Sequence, residues 1–137
     1  MTLEPHQLYH IYNQGNRRQQ IFFSREDYLS FLRLVRKYIS PYCEILCYCL
    51  MPNHYHFIVQ TDVNSLTPKQ VGNITSTNLA NGFRMLQSSY ARLVNNKQNE
   101  FGSLFKQKTQ AKLIDDNSNY LTEVFHYIHQ NPVTSFW

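Results

Sequence analysis

Two apolar segments separated by three residues constrain the fold of this chain more than any other feature. Residues 42–50 and 54–61 are rich in aliphatic, aromatic and cysteine side chains, and Met51-Pro52-Asn53 lies between them. Short apolar runs on either side of a turn are typical of two adjacent antiparallel strands. Because side chains alternate along a strand, this hairpin is predicted to carry His54 and His56 on one face and aromatic residues on the other.

Two helices are predicted from apolar residues at helical spacing. The first begins after Ser24, a typical N-cap, and ends before Pro41. Its apolar face comprises Tyr28, Phe31, Leu32, Val35, Tyr38 and Ile39. The second follows a polar loop over residues 62–69, and its apolar face comprises Leu79, Phe83, Leu86, Tyr90 and Leu93.

Two more strands and a third helix complete the predicted order, which is βαββαβα. The strands cover residues 8–14 and 104–114, and the second of them has three lysines on one face: Lys106, Lys108 and Lys112. A final helix ends near Gln130, because Pro132 disfavours helical geometry at the residue before it. The first six elements match a ferredoxin-like βαββαβ arrangement. We therefore predict a single α+β domain over residues 1–137, with an antiparallel sheet, two covering helices and an additional C-terminal helix.

The chain is basic and rich in aromatic residues, which favours nucleic acid as its partner. Its 137 residues carry a net charge of +4, and 15% of them are aromatic. A basic surface attracts a polyanion, and aromatic rings stack on exposed bases. No apolar run is long enough to span a membrane and the first residues do not resemble a signal peptide, so we expect a cytoplasmic protein without membrane contact.

Three cysteines, Cys43, Cys47 and Cys49, lie close together. Their odd number argues against a disulfide framework, and their equal parity predicts reduced thiols packed on one face of a strand. A zinc site would need a fourth ligand, and none stands nearby in the sequence. We therefore expect buried structural cysteines.

The predicted hairpin and the last helix carry the candidate catalytic groups. A strand that holds two imidazoles at i and i+2 offers a metal ion two nitrogen ligands on a rigid support. On the last helix, Tyr127 flanks the apolar face instead of belonging to it, and Asn131 lies one turn further along. The Asn131 amide oxygen would give Mg²⁺ or Mn²⁺ a third neutral ligand beside His54 and His56.

Each of these motifs is ambiguous when taken alone. A His-x-His pair is often only a polar surface feature, and a tyrosine beside an apolar helical face more often packs against the core. A phenol has an ordinary pKa of about 10 and is a poor nucleophile while protonated, so attack on a phosphodiester needs a nearby cation. The two motifs together supply both groups, which favours catalysis.

The residues around both motifs resemble a known family. Met51-Pro52-Asn53-His54-Tyr55-His56 is similar to the His-hydrophobic-His motif of the HUH-type single-tyrosine transposases, and residues 127–133 resemble their catalytic helix, which ends in Asn-Pro-Val. The pattern is nearest to that of the REP-associated tyrosine transposases, with insertion-sequence transposases next. Further similarities at residues 9–16, 84–95 and 102–105 extend the resemblance over residues 8–133.

The resemblance implies a metal-dependent DNA transposase that acts on single-stranded DNA with hairpins. His54, His56 and Asn131 would bind Mg²⁺ or Mn²⁺, and Tyr127 would attack a phosphate to form a covalent 5′-phosphotyrosine intermediate before the strands are rejoined. Tyr120 is the only other credible nucleophile on the last helix. Because many members continue beyond the position of Trp137, a truncated or decayed copy is an alternative.

Seven basic residues are candidates for binding DNA phosphates: Arg17, Arg18, Arg84, Arg92, Lys106, Lys108 and Lys112. Two other functions stay open, a single-stranded nucleic-acid-binding module without catalysis and a metal-dependent nuclease that uses water. The terminal position of the catalytic helix, which could dock on a second copy, favours a homodimer, with a monomer as the alternative.

Overall fold

The fold is centred on a five-stranded antiparallel sheet. A computed structural model of the chain describes residues 1–115 and the backbone of residues 134–136. The strands, in chain order, are β1 (Leu8–Gln14), β2 (Glu44–Met51), β3 (His54–Gln60), β4 (Pro68–Val71), β5 (Ile74–Thr77), β6 (Gln110–Ile114) and β7 (Thr134–Phe136). The sheet has the spatial order β6-β1-β3-β2-β7, and β4 and β5 pair separately as a hairpin.

Two helices, α1 (Arg25–Tyr38) and α2 (Asn78–Gln98), cover one face of the sheet. α1 begins as predicted, because Ser24 Oγ accepts a hydrogen bond from the Asp27 backbone N–H at 3.3 Å. Asp27 Oδ2 in turn accepts a 2.8 Å bond from the Phe23 N–H. The side chains buried between the helices and the sheet include Ile11, Phe31, Val35, Tyr55, Phe57, Phe83, Leu86 and Tyr90.

The predicted fold class, α+β with a ferredoxin-like sheet, is confirmed. In the order β6-β1-β3-β2 every pair is antiparallel, which is the arrangement of two interlocked βαβ units. The face opposite the helices carries a smaller apolar cluster, formed by Cys47, Cys49, Ile58 and Ile114. His54 and His56 lie on this second face, because they alternate with the buried core residues of β3.

Two strand pairings differ from the prediction. The sequence predicts only a polar loop before α2, whereas β4 and β5 form a hairpin there, with Gly72 at a φ of 59° in its turn. Most residues of this hairpin are exposed, so its strands lack the apolar alternation that would identify them. The other addition is β7, which pairs with β2 at the edge of the sheet.

The strand expected over residues 104–114 is shorter in the structure and begins at Gln110. Leu104 and Phe105 are both buried although they are consecutive, which breaks the alternation of a strand. Of the three lysines, only Lys112 therefore lies on β6. The expectation of one shared strand face was wrong for Lys106, Lys108 and Lys112.

The three cysteines do not share one face, contrary to the prediction. A β-bulge between Ile45 and Cys47 shifts the register of β2 against β3. Cys43 packs into the core beneath the helices, whereas Cys47 and Cys49 face the opposite side of the sheet. All three are buried and reduced, and burial raises the pKa of Cys43 to about 12 and that of Cys47 to about 11, which favours the protonated form.

The predicted C-terminal helix, which ends near Gln130, lies within residues 116–133, outside the described residues. The residues that flank this segment lie at opposite edges of the sheet, since Asp115 follows β6 and Thr134 begins β7. In the described part of the chain, neither α1 nor α2 combines the length and the apolar character that a membrane span requires.

Candidate active site

His54 and His56 lie side by side on β3, on the face of the sheet opposite the helices. Their ring centroids are 5.0 Å apart, and the ring planes are nearly perpendicular, at 86°. Tyr55, between them, is fully buried in the core, and burial raises its pKa. The hairpin thus presents the two imidazoles together and directs the Tyr55 phenol away from them.

A third histidine, His10 on β1, contacts this pair. Its Nε2 atom lies 2.8 Å from His56 Nδ1, and the two rings stack with centroids 5.0 Å apart. The ring of Tyr12 lies 4.6 Å from that of His10 and 5.8 Å from that of His56. Neither His10 nor Tyr12 was among the residues predicted for the site. The predicted ferredoxin-like strand order could have indicated these contacts, because it makes β1 the direct neighbour of β3.

The three imidazoles favour the neutral form. Burial lowers the pKa of His10 to about 4, and Lys112, its partner in the β1–β6 register, adds a smaller effect in the same direction. Burial, with His10 and His54 nearby, lowers the pKa of His56 to about 3. Burial also lowers the pKa of His54. A neutral imidazole is the form that binds a metal ion.

The turn before β3 is fixed by its own side chain and by the loop after β1. Asn53 Oδ1 lies 2.7 Å from His54 Nδ1, and because an amide oxygen can only accept, the histidine nitrogen is the donor. The Asn53 carbonyl accepts a 2.9 Å bond from the Gly15 N–H, and the Pro52 carbonyl accepts a 2.8 Å bond from the Ile21 N–H. The loop after β1 therefore holds the turn that leads into the two histidines.

That loop also carries two of the predicted DNA-binding residues, Arg17 and Arg18. Both are exposed, and their φ angles are 56° and 59°, in the left-handed region. A 2.9 Å bond from the Arg18 N–H to the Gly15 carbonyl closes the turn. A Cβ atom at Gly15 would clash with the Gln19 carbonyl oxygen, so the turn requires glycine. The guanidinium groups of Arg17 and Arg18 are thereby carried by the loop that is hydrogen-bonded to the turn before His54.

A pocket of about 360 Å³ opens beside the histidines. Its walls come from β1, β3, β6 and the segment before β6: Tyr12, Asn13, Gln14, His54, His56, Lys106, Lys108 and Gln110. Lys106 and Lys108 thus line the same pocket as the histidines although they precede β6. Ammonium groups beside neutral imidazoles suit a phosphodiester that is bound together with a metal ion.

Buried amides fix the segment that carries these two lysines. Asn13 is only 4% exposed, and its Nδ2 atom donates to Gln87 Oε1 at 2.7 Å and to the Lys106 carbonyl at 2.9 Å. Gln87 Nε2 donates to Thr109 Oγ1 at 2.6 Å. These bonds connect β1 and α2 to residues 106–109, and the sequence did not predict them.

The remaining basic candidates are spread over the molecule. Lys112 is the register partner of His10, so it lies on the face of the histidines. Arg84 on α2 lines a separate groove, to which Lys106 also contributes. Arg92 lies near Tyr38 and does not line the pocket. The structure therefore brings Lys106, Lys108 and Lys112 to the histidines, and places Arg84 and Arg92 elsewhere.

The described residues bring two of the predicted metal ligands, His54 and His56, together on one face of the sheet. Within residues 1–115 and 134–136, no three His, Cys, Asp or Glu side chains are placed to hold one ion. The chemistry of His54 and His56 fits a divalent metal, since both favour the neutral form and lie on one face. The predicted ligand Asn131, the predicted nucleophile Tyr127 and the alternative Tyr120 fall outside the described residues.

The chain matches the family described as "Transposase IS200 like" over residues 5–131. No curated protein matches it. Among solved structures it is similar to a REP-associated tyrosine transposase bound to a REP hairpin, with a TM-score of 0.63 and 13% identity over 98% of this chain and 79% of that chain. It is also similar to a transposase-like protein from Deinococcus radiodurans, with a TM-score of 0.56 and 14% identity over 95% of this chain and 94% of that chain.

The family match includes both the His54-Tyr55-His56 motif and the segment that contains Tyr127. At so low a sequence identity the structural likeness concerns the fold, and this fold agrees with the family match. A transposase is, in general terms, an enzyme that cleaves DNA and transfers strands. The match covers most of the chain, which therefore belongs to the IS200-like transposase family.

Proposed function

We propose that this transposase cleaves and rejoins single-stranded DNA by a metal-assisted tyrosine attack. The observation that carries the proposal is the pocket in which two neutral imidazoles, of His54 and His56, meet the ammonium groups of Lys106 and Lys108. This combination suits a divalent cation and a phosphate group bound side by side.

His54 and His56 would hold the metal, and the Asn131 amide oxygen would complete the set of protein ligands. Mg²⁺ and Mn²⁺ are the ions that we propose. Imidazole nitrogen is a softer ligand than the oxygens that Mg²⁺ prefers, so we expect Mn²⁺ to bind more tightly. When bound, such an ion polarises a phosphate oxygen and stabilises developing negative charge.

Tyr127 is the proposed nucleophile. Its phenol oxygen forms a bond to phosphorus while the bond from phosphorus to the 3′ oxygen breaks, and the phenol proton is transferred through solvent to that leaving oxygen. The protein then carries the 5′ phosphate, and the other DNA end is released as a 3′ hydroxyl. A new 3′ hydroxyl rejoins the strands by the reverse reaction. Because one ester replaces another, no nucleotide cofactor is needed.

The strand register supports a site assembled within one chain. Thr134 pairs with Cys49, and Cys49 pairs with His56 on the next strand. Thr134 therefore lies two strand spacings, roughly 10 Å, from His56. Asn131 precedes Thr134 by three residues, which span at most about 11 Å. This reach favours Asn131 and the histidines of the same copy, and the homodimer stays a prediction.

The DNA would contact the protein both inside and outside the pocket. The similar REP-associated transposase was solved with a REP hairpin bound. We propose that this chain likewise binds hairpin DNA, with Arg17 and Arg18 contacting the duplex backbone and Lys106 and Lys108 contacting the adjoining single strand. The loop that carries Arg17 and Arg18 is hydrogen-bonded to the turn before His54. These bonds hold the proposed duplex contacts in a fixed position relative to the pocket, which supports this assignment of the two DNA regions.

Incubating the protein with Mn²⁺ and a labelled single strand that contains a hairpin tests the proposal. We expect a protein–DNA adduct that resists denaturation. Tyr127→Phe should abolish the adduct and retain DNA binding, because only the hydroxyl is lost. His54→Ala and His56→Ala should also abolish it, through loss of metal binding. Tyr120→Phe is the matched control and should still form the adduct.

Two results would contradict the proposal and identify its alternatives. Cleavage that leaves no adduct and survives Tyr127→Phe would indicate a nuclease that uses water. Tight DNA binding without any cleavage in Mn²⁺ would indicate a nucleic-acid-binding module. The denaturing gel shows cleavage and the adduct, and a DNA-binding assay on the same protein identifies the binding module.

A further inference from the structure

We propose that Asn53 and His10 are positioning residues for the metal site. Each one hydrogen-bonds the Nδ1 atom of a candidate ligand, and together they make Nε2 the lone-pair nitrogen of both His54 and His56. This inference rests on the proposed function, because it concerns the same two imidazoles.

The reason lies in the chemistry of a neutral imidazole. One ring nitrogen carries the proton and the other carries the lone pair, and only the lone-pair nitrogen can bind a metal ion. The hydrogen bond made by the first nitrogen decides which form is present. Two ligands on one strand serve a common ion only if both present a suitable nitrogen to it.

At His54 the direction follows from Asn53. The amide oxygen of Asn53 lies 2.7 Å from His54 Nδ1 and can only accept, so the proton is on Nδ1 and the lone pair is on Nε2. Asn53 Nδ2 lies 3.5 Å from the Arg18 carbonyl oxygen. A reversed amide would place oxygen against oxygen at that point, so the Arg18 carbonyl selects the orientation in which Asn53 accepts from the histidine.

At His56 the partner is a second imidazole. His10 Nε2 and His56 Nδ1 are 2.8 Å apart, so one must donate and the other must accept. If His10 donated, His56 would carry its proton on Nε2 and that nitrogen could not bind a metal. We infer the opposite direction, with His56 Nδ1 donating to His10 Nε2. His10 is suited to hold the ring in place, because it is only 8% exposed and its ring packs against Tyr12.

Histidine tautomers can be measured directly in the metal-free, full-length protein. Long-range ¹H–¹⁵N NMR spectra distinguish a protonated Nδ1 from a protonated Nε2, and we expect a protonated Nδ1 at both His54 and His56. A protonated Nε2 at either residue would overturn the inference even if the protein forms the DNA adduct. The expected tautomers in a protein that forms no adduct would support this inference and overturn the proposed function.

A Mn²⁺ titration, followed by the electron paramagnetic resonance of the free ion, provides the second test. Asn53→Ala and His10→Phe should each weaken Mn²⁺ binding by about 10- to 100-fold, the usual effect of losing a group that orients a metal ligand. Asn53→Asp keeps an oxygen acceptor and should bind Mn²⁺ at least as tightly as the wild type. His6→Asn, at an exposed histidine, is the control and should bind Mn²⁺ like the wild type.

Circular dichroism melting curves will show whether these variants fold. Wild-type Mn²⁺ affinity in folded Asn53→Ala and His10→Phe proteins would overturn the inference. If a variant does not fold, the tautomer measurement on the unchanged protein decides the question by itself.

Discussion

Because His10 is buried, the stability of the fold should depend on pH in the acid range. His10 has a pKa of about 4 in the folded protein, below its ordinary value of 6.5. As the pH falls below 6.5, the unfolded chain takes up a proton before the folded chain does. The stability linked to His10 is therefore fully present above about pH 6.5 and is lost as the pH falls towards about 4, by at most about 3 kcal/mol.

Urea unfolding in metal-free buffer, followed by circular dichroism, should show this loss between neutral pH and about pH 4.5. His10→Phe removes the titrating group and should reduce the pH dependence of the unfolding free energy. His6→Asn, which changes an exposed histidine, should leave that dependence as it is. If the unfolding free energies of His10→Phe and the wild type depend equally on pH, His10 does not cause the loss of stability in acid.

Lys106 is the basic residue whose role in DNA binding can be tested most directly. It lines both the histidine pocket and the groove of Arg84, so a strand passing between them would contact it. If Lys106 neutralises one phosphate, Lys106→Ala should lower the slope of log affinity against log salt concentration by about one. Fluorescence anisotropy with labelled single-stranded DNA measures that slope. Lys37→Ala, at an exposed position on α1, should keep the wild-type slope.

No change of slope in Lys106→Ala would show that the residue does not contact a phosphate. A lower affinity at every salt concentration with an unchanged slope would instead indicate that the substitution disturbed residues 106–109. Asn13 holds this segment by its bond to the Lys106 carbonyl, which is a backbone group and stays present in the variant.

The packing of α1 on α2 depends on a close approach at Gly82. A Cβ atom there would clash with the Tyr38 carbonyl oxygen, a backbone atom that cannot move aside as a side-chain end can. Alanine would gain about 1 kcal/mol in helix propensity. We nevertheless expect Gly82→Ala to lower the free energy of unfolding by about 1–3 kcal/mol, as overpacking usually does.

Urea unfolding measures this change, and Ser88→Ala on the exposed side of α2 is the matched control. The control should gain a few tenths of a kcal/mol, roughly the propensity difference between serine and alanine. A Gly82→Ala protein that is as stable as the control would show that the helices can separate at this point without cost.

The elements with local sequence signals were the ones that could be predicted. Ser24 and the spacing of the apolar residues after it locate α1, and the Met51-Pro52-Asn53 turn locates the β2–β3 hairpin. The β4–β5 hairpin was missed, because the Gly72-Asn73 dipeptide at its turn is flanked by exposed strands without apolar alternation. The bulge in β2 had no local signal, because it depends on how β2 pairs with β3.

The cluster of imidazoles could be predicted only where the histidines are neighbours in sequence. His54 and His56 are two residues apart, so strand parity alone places them together. His10 contacts His56 because β1 pairs with β3, and the two residues are more than 40 positions apart in the sequence. The alternation of side chains within β1 does not reveal this pairing. Asn13 was missed for the same reason, since its partners Gln87 and Thr109 lie on α2 and in the segment before β6.

The course of the chain as a whole bears on whether one copy is sufficient for activity. The described residues end at Asp115 beside one edge of the sheet and resume at Thr134 on the other. We expect a mixture of His54→Ala and Tyr127→Phe proteins to form no adduct, because each copy lacks one group and a site built in one chain cannot borrow it. Denaturing gels of the mixed and separate proteins measure this.

An adduct in the mixture would contradict a site within one chain and support the predicted homodimer, in which the last helix is exchanged between copies. Each variant alone is the control and should give no adduct. DNA binding by both variants must be confirmed in the same experiment, since a protein that binds no DNA would also give a negative result.

The bulge in β2 also affects how this chain is compared with its relatives. Leu46 and Cys47 are consecutive, yet both lie on the histidine side of the sheet, where Leu46 packs against the apolar cluster that contains Cys47. A homologue without the additional residue would need a one-position gap at Leu46. In an ungapped alignment, residues on the helix side of the sheet would be paired with residues on the histidine side over the rest of β2. Substitutions in this strand would then be assigned to the wrong face of the sheet.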